Sequence, residues 1–290
     1  MARCRFVAEV SSNHNRSLER ALALVDAAAD IGCDAVKFQL FKIKELFARE
    51  ILERSQRHRD REQWELPEEF IPLIHARCAE RGIAFSCTPF YLQAVELLQP
   101  YVQFYKIASY ELLWSDLIRA CSRTGKPLVI STGMATLDEI RRAAAAAREA
   151  GCSDLTLLHC VSAYPAKADE CNLAFMETMR RETGCRVGWS DHSVNPAVVL
   201  RAVQRWGAEM VEFHFDTDER GVEFGGGHCW LPEQFRRVIE LVRQAEAADG
   251  DGEIAVSAVE EEERLWRADP SDGLRPFKAL RESFGKGGGG

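Results

Sequence analysis

Short apolar runs rich in β-branched and aromatic residues recur along the chain, and each gives way to a longer stretch whose apolar positions return every three or four residues. The short runs are RFVAEV (5–10), AVKFQ (35–39), AFSCT (84–88), FYKIAS (104–109), PLVIST (127–132), LTLLHC (155–160), RVGWSD (186–191) and MVEFHF (210–215). Their length and composition read as strands, and the stretches between them, such as SLERALALVDAAADIG and TLDEIRRAAAAAREAG, read as amphipathic helices. Gly32, Gly82, Gly151 and Gly207 close helical patterns where a left-handed residue is favoured, and Ser17 and Thr136 stand at N-cap positions. Eight strand–helix repeats predict a single (β/α)8 TIM barrel over residues 1–248. A doubly wound sheet would want a glycine-rich turn after the first strand, and EVSSNHN does not supply one.

Two segments depart from the alternation. The charged stretch 40–66 predicts a short helix and a mobile excursion over the barrel mouth. From 249 to 290 the chain turns polar, with an acidic run at Glu260–Glu263 and four final glycines, and reads as a linker-like tail.

Composition narrows the function by exclusion. With net charge −8 and no Lys/Arg stripe, nucleic acid is not an expected partner. No apolar run approaches the roughly 20 residues of a membrane span, and the N-terminus lacks a signal-peptide core, so a cytoplasmic protein is expected. The ten cysteines form no C-x-x-C pair and read as reduced, buried thiols.

Polar residues at the strand C-termini change the picture, because that end of a barrel carries the reacting groups. Glu9 ends the first run, Lys37 and Gln39 the second, and Thr88 the third. Lys106 lies in the fourth with Ser109 at its end, Ser131 and Thr132 end the fifth, and His159 lies at the end of the sixth, followed by Ser162 and Tyr164. Ser190, Asp191 and His192 end the seventh; Glu212 and His214 end the eighth. Any one of these is what a hydrogen-bonded strand end or a solvated lysine looks like. Their recurrence at all eight strand ends points to a site. Alternation places Met210, Glu212 and His214 on one face, and Arg186, Gly188, Ser190 and His192 on another. His192 and His214 then converge from neighbouring strands, which suits a divalent first-row metal, with Glu212 or Asp191 as orienting group or oxygen donor. Lys37 and Lys106 suit a phosphate or carboxylate, assisted by Ser109 and Thr88, and leave Glu9 for proton transfer. Metal, anion site and base together imply metal-assisted chemistry on a phosphorylated or carboxylated small molecule.

The ordered motifs AEVSSNHN, AVKFQ, FSCTPF, YKIAS, ISTGMATLDEI, LHCVSAYP, GWSDHS and EFHF make residues 5–245 resemble the sialic acid synthase family. The resemblance implies condensation of phosphoenolpyruvate with an open-chain aldose to give a nonulosonic acid and phosphate. Lys37, Lys106 and Ser109, with Thr88 nearby, would hold phosphoenolpyruvate. His192 and His214 would ligate Mn2+ (or Mg2+ or Co2+), Glu9 would handle the proton, and Gln39, Ser162, Tyr164, Ser190 and Asp191 would face the sugar. A homodimer is the family expectation. The sequence departs from the family at Phe213, where a lysine is usual; at Ser162, where an asparagine is frequent; and at GGGHCW, where the loop commonly reads close to GPDH. At that last position Glu223 or His228 is the available substitute. LRPFKALR resembles the linker that leads in the family to a C-terminal antifreeze-like domain, which supplies an arginine to the sugar's N-acyl group; the chain then stops, and either a truncation or an acceptor without that group is the expectation. The alternatives are a metal-dependent aldolase or synthase making a shorter ulosonic acid, and a non-catalytic sugar- or phosphate-binding barrel.

Overall fold

A computed structural model describes residues 3–286, so the four final glycines lie outside the described residues. The chain divides into two compact units, Met1–Ala245 and Glu246–Gly290, with the boundary three residues before the expected one. In the first unit eight parallel strands, β1 (Arg5–Ser11), β2 (Ala35–Leu40), β3 (Ala84–Pro89), β4 (Phe104–Ile107), β5 (Leu128–Ser131), β6 (Leu155–Cys160), β7 (Arg186–Asp191) and β8 (Met210–His214), close into a barrel in sequence order. The seam pairs β1 with β8, from Arg5 opposite Met210 to Glu9 opposite His214. Between Glu9 and Ser11 the β1–β2 register slips, so the top of β1 bends where its carboxylate sits.

The helices between strands start and stop as the local chemistry dictates. Ser17 accepts from the Arg20 amide, and Thr136 forms a capping box with Glu139. Gly82 and Gly184 end helices in the left-handed region. Outward-facing strand residues and inward helix faces make the main core, in which Phe213 stacks on Phe235. Inside the barrel, Val7, Ala35, Phe104, Val129, Leu158 and Met210 form a separate apolar layer. It closes the barrel from below. Gly188 lets β7 lie close to β8: a Cβ there would come 2.2 Å from the Met210 carbonyl oxygen.

The segment after β2 is more helical than its charge pattern predicted. Residues Ile43–Leu46, Arg49–Arg54, Gln56–Arg59 and Asp60–Trp64 form successive short turns. An apolar cluster of Phe41, Ile43 and Phe90, with Leu46, Phe47, Leu52 and Trp64 against it, gives this lid its own small core. The second unit also holds helical pieces, Ala258–Glu260, Glu261–Arg264 and Lys278–Lys286, with the Trp266 and Phe284 rings 6.1 Å apart. All ten cysteines are buried, and none of them is joined in a disulfide. Among the described residues no helix is long and apolar enough to cross a membrane.

Candidate active site

Above the apolar layer, a cavity of about 740 Å3 opens at the C-terminal ends of the strands. Its floor is a buried ionic cluster. Lys37 forms an ion pair with Glu9, and its ammonium lies 3.2 Å from Thr88 Oγ1, to which it donates, and 3.8 Å from Glu212. Lys106 lies 3.3 Å from Glu212. These four charged residues are each no more than 6% exposed and sum to zero charge, which is what makes their burial tolerable. Burial opposes the charge on Lys37, yet Glu212 and Glu9 outweigh it and hold that ammonium above the ordinary lysine range. At Lys106 burial wins: with Glu212 offsetting only part of it and Lys37 adding repulsion, the ammonium is held below that range. Burial would raise Glu212, but Lys106 and Lys37 bring it below the usual carboxylate range.

This arrangement corrects two expectations. Glu9 is not free: besides Lys37 it accepts a 2.9 Å hydrogen bond from Gln39 Nε2, so Gln39 is aimed at Glu9. Glu212 joins the two lysines and does not orient the histidines. Being two residues before His214 on β8, it sits one layer deeper in the barrel.

Next to Lys106, Ser109 Oγ accepts from the Gly133 amide at 3.0 Å. A Cβ on Gly133 would fall 2.3 Å from Ser162 Oγ and 2.9 Å from Ser109 Oγ, so only glycine lets these two hydroxyls crowd together. Ser162 Oγ is buried with no hydrogen-bond partner. Burial also raises the Glu111 carboxyl to about 7, Lys106 opposing, and its Oε2 likewise has no partner.

The other side of the cavity is built from imidazoles. His192 and His214 rings stand 5.3 Å apart and His228 lies 4.7 Å from His214. Tyr164 caps them, its ring 4.1 Å from His192 and 4.9 Å from His228. His192 Nδ1 lies 2.8 Å from the Val161 carbonyl, and His214 Nδ1 lies 2.9 Å from Glu223 Oε2. Anchoring Nδ1 in this way leaves Nε2 of each ring to a ligand, the arrangement that metal-binding histidines adopt. Burial holds His214 below the ordinary histidine range against the pull of Glu223, which favours the neutral, ligating form. Ligand atoms of His214, Glu223, His228 and Cys229 all lie within 4.8 Å of one another, and His228 Nδ1 is buried without a partner. Cys229 is the poorest donor of the four: burial pushes its thiol up to about 12, and it accepts from Asn13 Nδ2 at 3.5 Å. The donor set of imidazoles and a carboxylate fits a divalent first-row ion. The residues that fix Glu223 come from the other end of the chain. Ser11 Oγ donates to it at 2.5 Å, and Asn13 accepts from the Glu223 amide at 2.9 Å while donating to the Phe215 carbonyl at 3.0 Å.

Asp191 does not line the cavity. It points into the outer core, where its carboxylate accepts from the Trp189 and Trp230 indoles, both at 2.9 Å, and from Ser193 Oγ at 2.6 Å. His159 also faces outward, 2.9 Å from the Cys171 carbonyl, and Cys160 takes the inward position of β6. Of the other expected residues, Ser109, Tyr164 and Ser190 line the cavity, together with Glu9, Lys37, Gln39, Lys106, His192 and His214. Thr88 reaches it through Lys37. Sequence reasoning missed Ser11 and Glu111, as well as Arg61 and Trp64 of the lid. It named Glu223 and His228 only as substitutes.

Comparison with known proteins decides the family. A NeuB family model matches residues 24–254. The chain belongs to the NeuB family. Among relatives of this NeuB-family chain, the N,N'-diacetyllegionaminic acid synthase of Legionella pneumophila is 34% identical over 294 residues, covering 96% of this chain and 78% of its own. The pseudaminic acid synthase of Campylobacter jejuni is 31% identical over 260 residues, covering 86% and 75%. The solved N-acetylneuraminic acid synthetase of Leptospira borgpetersenii superposes with a TM-score of 0.79 at 28% identity, covering 90% of each chain.

Proposed function

We propose that this NeuB-family chain condenses phosphoenolpyruvate with an open-chain aldose, forming a nonulosonic acid and releasing phosphate. The observation that carries the reading is one cavity holding two buried lysines beside a serine–glycine cradle at one side and a cluster of imidazoles at the other. A trianionic donor needs the first; an aldehyde oxygen that gains charge on attack needs the second. Lys37, Lys106, Ser109 and Ser162 bind the phosphate and carboxylate of phosphoenolpyruvate. His192 and His214, through Nε2, with Glu223 or His228, would hold a divalent ion, Mn2+ by preference, which when bound supplies Lewis-acid polarisation of the aldehyde. Phosphoenolpyruvate C3 forms the new bond to the aldehyde carbon, and water adds at C2. The resulting tetrahedral centre breaks its C–O bond to phosphate. Glu9, held by Lys37 and Gln39, takes the proton from that water. Tyr164, Ser190 and Gln39 line the path of the sugar.

The test is phosphate release from phosphoenolpyruvate across a panel of unphosphorylated hexoses, N-acylhexosamines and pentose phosphates with Mn2+, with mass spectrometry of the product. Release that requires a hexose or hexosamine and is lost in Lys106→Ala supports the proposal. A requirement for a pentose phosphate would assign the shorter ulosonic acid instead, and no release with any acceptor would end the condensation reading.

A further inference from the structure

The lid is fastened in two ways. At its stems the bonds stay within residues 42–68: Glu65 accepts from the Ile43 amide at 2.6 Å, and Lys42 pairs with Glu68 at 2.6 Å. Another fastening comes from the loop after β1. There Arg16 donates from Nη1 to the Glu62 carbonyl at 2.9 Å, inside the turn Asp60–Trp64 whose Arg61 and Trp64 line the cavity. That same loop is the seat of the Glu223 carboxylate. Beyond the Ser11 and Asn13 bonds already described, Asn15 Nδ2 donates to the Arg220 carbonyl at 2.9 Å and Asn15 Oδ1 accepts from the Val222 amide at 3.2 Å. Arg20 donates to the Asn13 carbonyl at 2.6 Å and to Asp218 at 2.9 Å. A Cβ on Gly221 would fall 2.3 Å from Asn13 Oδ1, so the two loops interlock where no side chain fits. Cross-linked this often, the loops after β1 and β8 move as one piece.

Arg16 sits on that piece at a cost. Asn15 and Arg16 have φ of 49° and 55°, left-handed values that a residue other than glycine keeps only when its surroundings enforce them. For Arg16 the enforcing groups are His14 Nδ1, which accepts from its amide at 2.9 Å, and the lid carbonyl. We infer that Arg16 is a positioning residue that couples the lid to the ion cage. An ion that stills Glu223 stills the interlocked loops, holds the Arg16 guanidinium to Glu62 and so favours the lid in its place over the cavity. Coupling of this kind is reciprocal, so a seated lid favours the ion. The consequence is a cavity enclosed more firmly once it is armed. The inference rests on reading His214, Glu223 and His228 as part of an ion site.

The experiment is amide hydrogen exchange of residues 43–64 in the full chain, metal-stripped and saturated with Mn2+, with Mn2+ affinity measured by calorimetry on the same samples. One hydrogen bond at the joint sets the scale, so in the parent Mn2+ slows lid exchange about 5-fold. In Arg16→Ala lid exchange is faster without the ion and Mn2+ no longer slows it. Mn2+ affinity in that variant falls by the same factor of about 5, as reciprocity demands. Lys42→Ala loosens a stem and spares the joint, so it speeds lid exchange yet keeps the slowing by Mn2+. The inference is overturned if Mn2+ binds the parent without changing lid exchange, if the slowing survives in Arg16→Ala, or if Lys42→Ala abolishes it equally. Each of those outcomes leaves the ion site standing. A parent chain that takes up no Mn2+ sinks the ion reading, and the coupling with it.

Discussion

Replacing Glu212 with glutamine removes one of two negative charges from a buried quartet and leaves Lys37 and Lys106 with Glu9 alone. At an effective dielectric near 20, the attraction across 3.3 Å to Lys106 is about 5 kcal/mol and that across 3.8 Å to Lys37 about 4 kcal/mol. Lysine–lysine repulsion and the cost of burial already cancel much of this in the parent. The expected net loss is therefore that of stripping one partner from a buried pair, about 3–5 kcal/mol. For a barrel of this size that lowers Tm by roughly 6–20 °C. The loss also acquires a pH dependence. Burial already holds Lys106 below the ordinary range, and without Glu212 it falls further. Folded Lys106 then binds fewer protons than unfolded Lys106, so the variant regains stability as pH rises between the folded and unfolded values, by up to about 1.4 kcal/mol per unit. Urea midpoints of parent and Glu212→Gln, measured from about pH 6 to about pH 9, read both effects. Inorganic phosphate, which can take over the missing countercharge, stabilises the variant more than the parent. A variant within about 1 kcal/mol of the parent at neutral pH, with a parallel pH profile, would refute the ionic reading of the floor.

Three further outcomes are expected. His214→Ala loses its divalent ion on gel filtration, and Glu223→Gln lowers metal affinity about 10- to 100-fold through the His214 Nδ1 anchor, as metal analysis against a competing chelator would show. Asp191→Ala leaves two buried indole N–H groups without acceptors and costs about 1–3 kcal/mol for each in a urea melt, while the acceptor KM of the folded enzyme stays put; a selective rise in that KM would return Asp191 to the sugar. Glu111 titrates near 7 in the folded chain against an ordinary value of 4.5, so it favours folding at low pH and progressively less as pH climbs through that window. Glu111→Gln accordingly gains stability relative to the parent above pH 7, and equal differences at pH 5 and pH 8 would show that the carboxyl is not desolvated.

The barrel was legible because its strands are short, nearly continuous apolar runs separated by capped helices, and each found strand falls within two residues of its predicted run at either end. Alternation also sorted most of the site: Ser190 and His192 face in, as do Glu212 and His214. It was not followed strictly enough at Asp191 and His159, whose odd-numbered parity sends them to the helical layer. What alternation cannot supply is depth. Glu212 has the right face, yet it sits too low to reach what His214 reaches, and one strand alone does not reveal which lysines approach from across the barrel. Loop residues had no periodic signal at all. Glu223 and His228 stood out only because GGGHCW breaks a familiar pattern, and Arg61 looked like one charge among many until the lid placed it between two rings.

The anchoring of Glu223 by Ser11 and Asn13 has a temporal meaning. On the ribosome the loop bearing these two emerges well before their carboxylate partner, which follows only after the eighth stave has been made. A nascent chain that has not reached residue 223 cannot assemble the cluster of His214, Glu223 and His228, so an ion held by that cluster would bind only the sealed cylinder. Fragments ending before residue 223 should take up no more cation than their exposed acidic side chains attract.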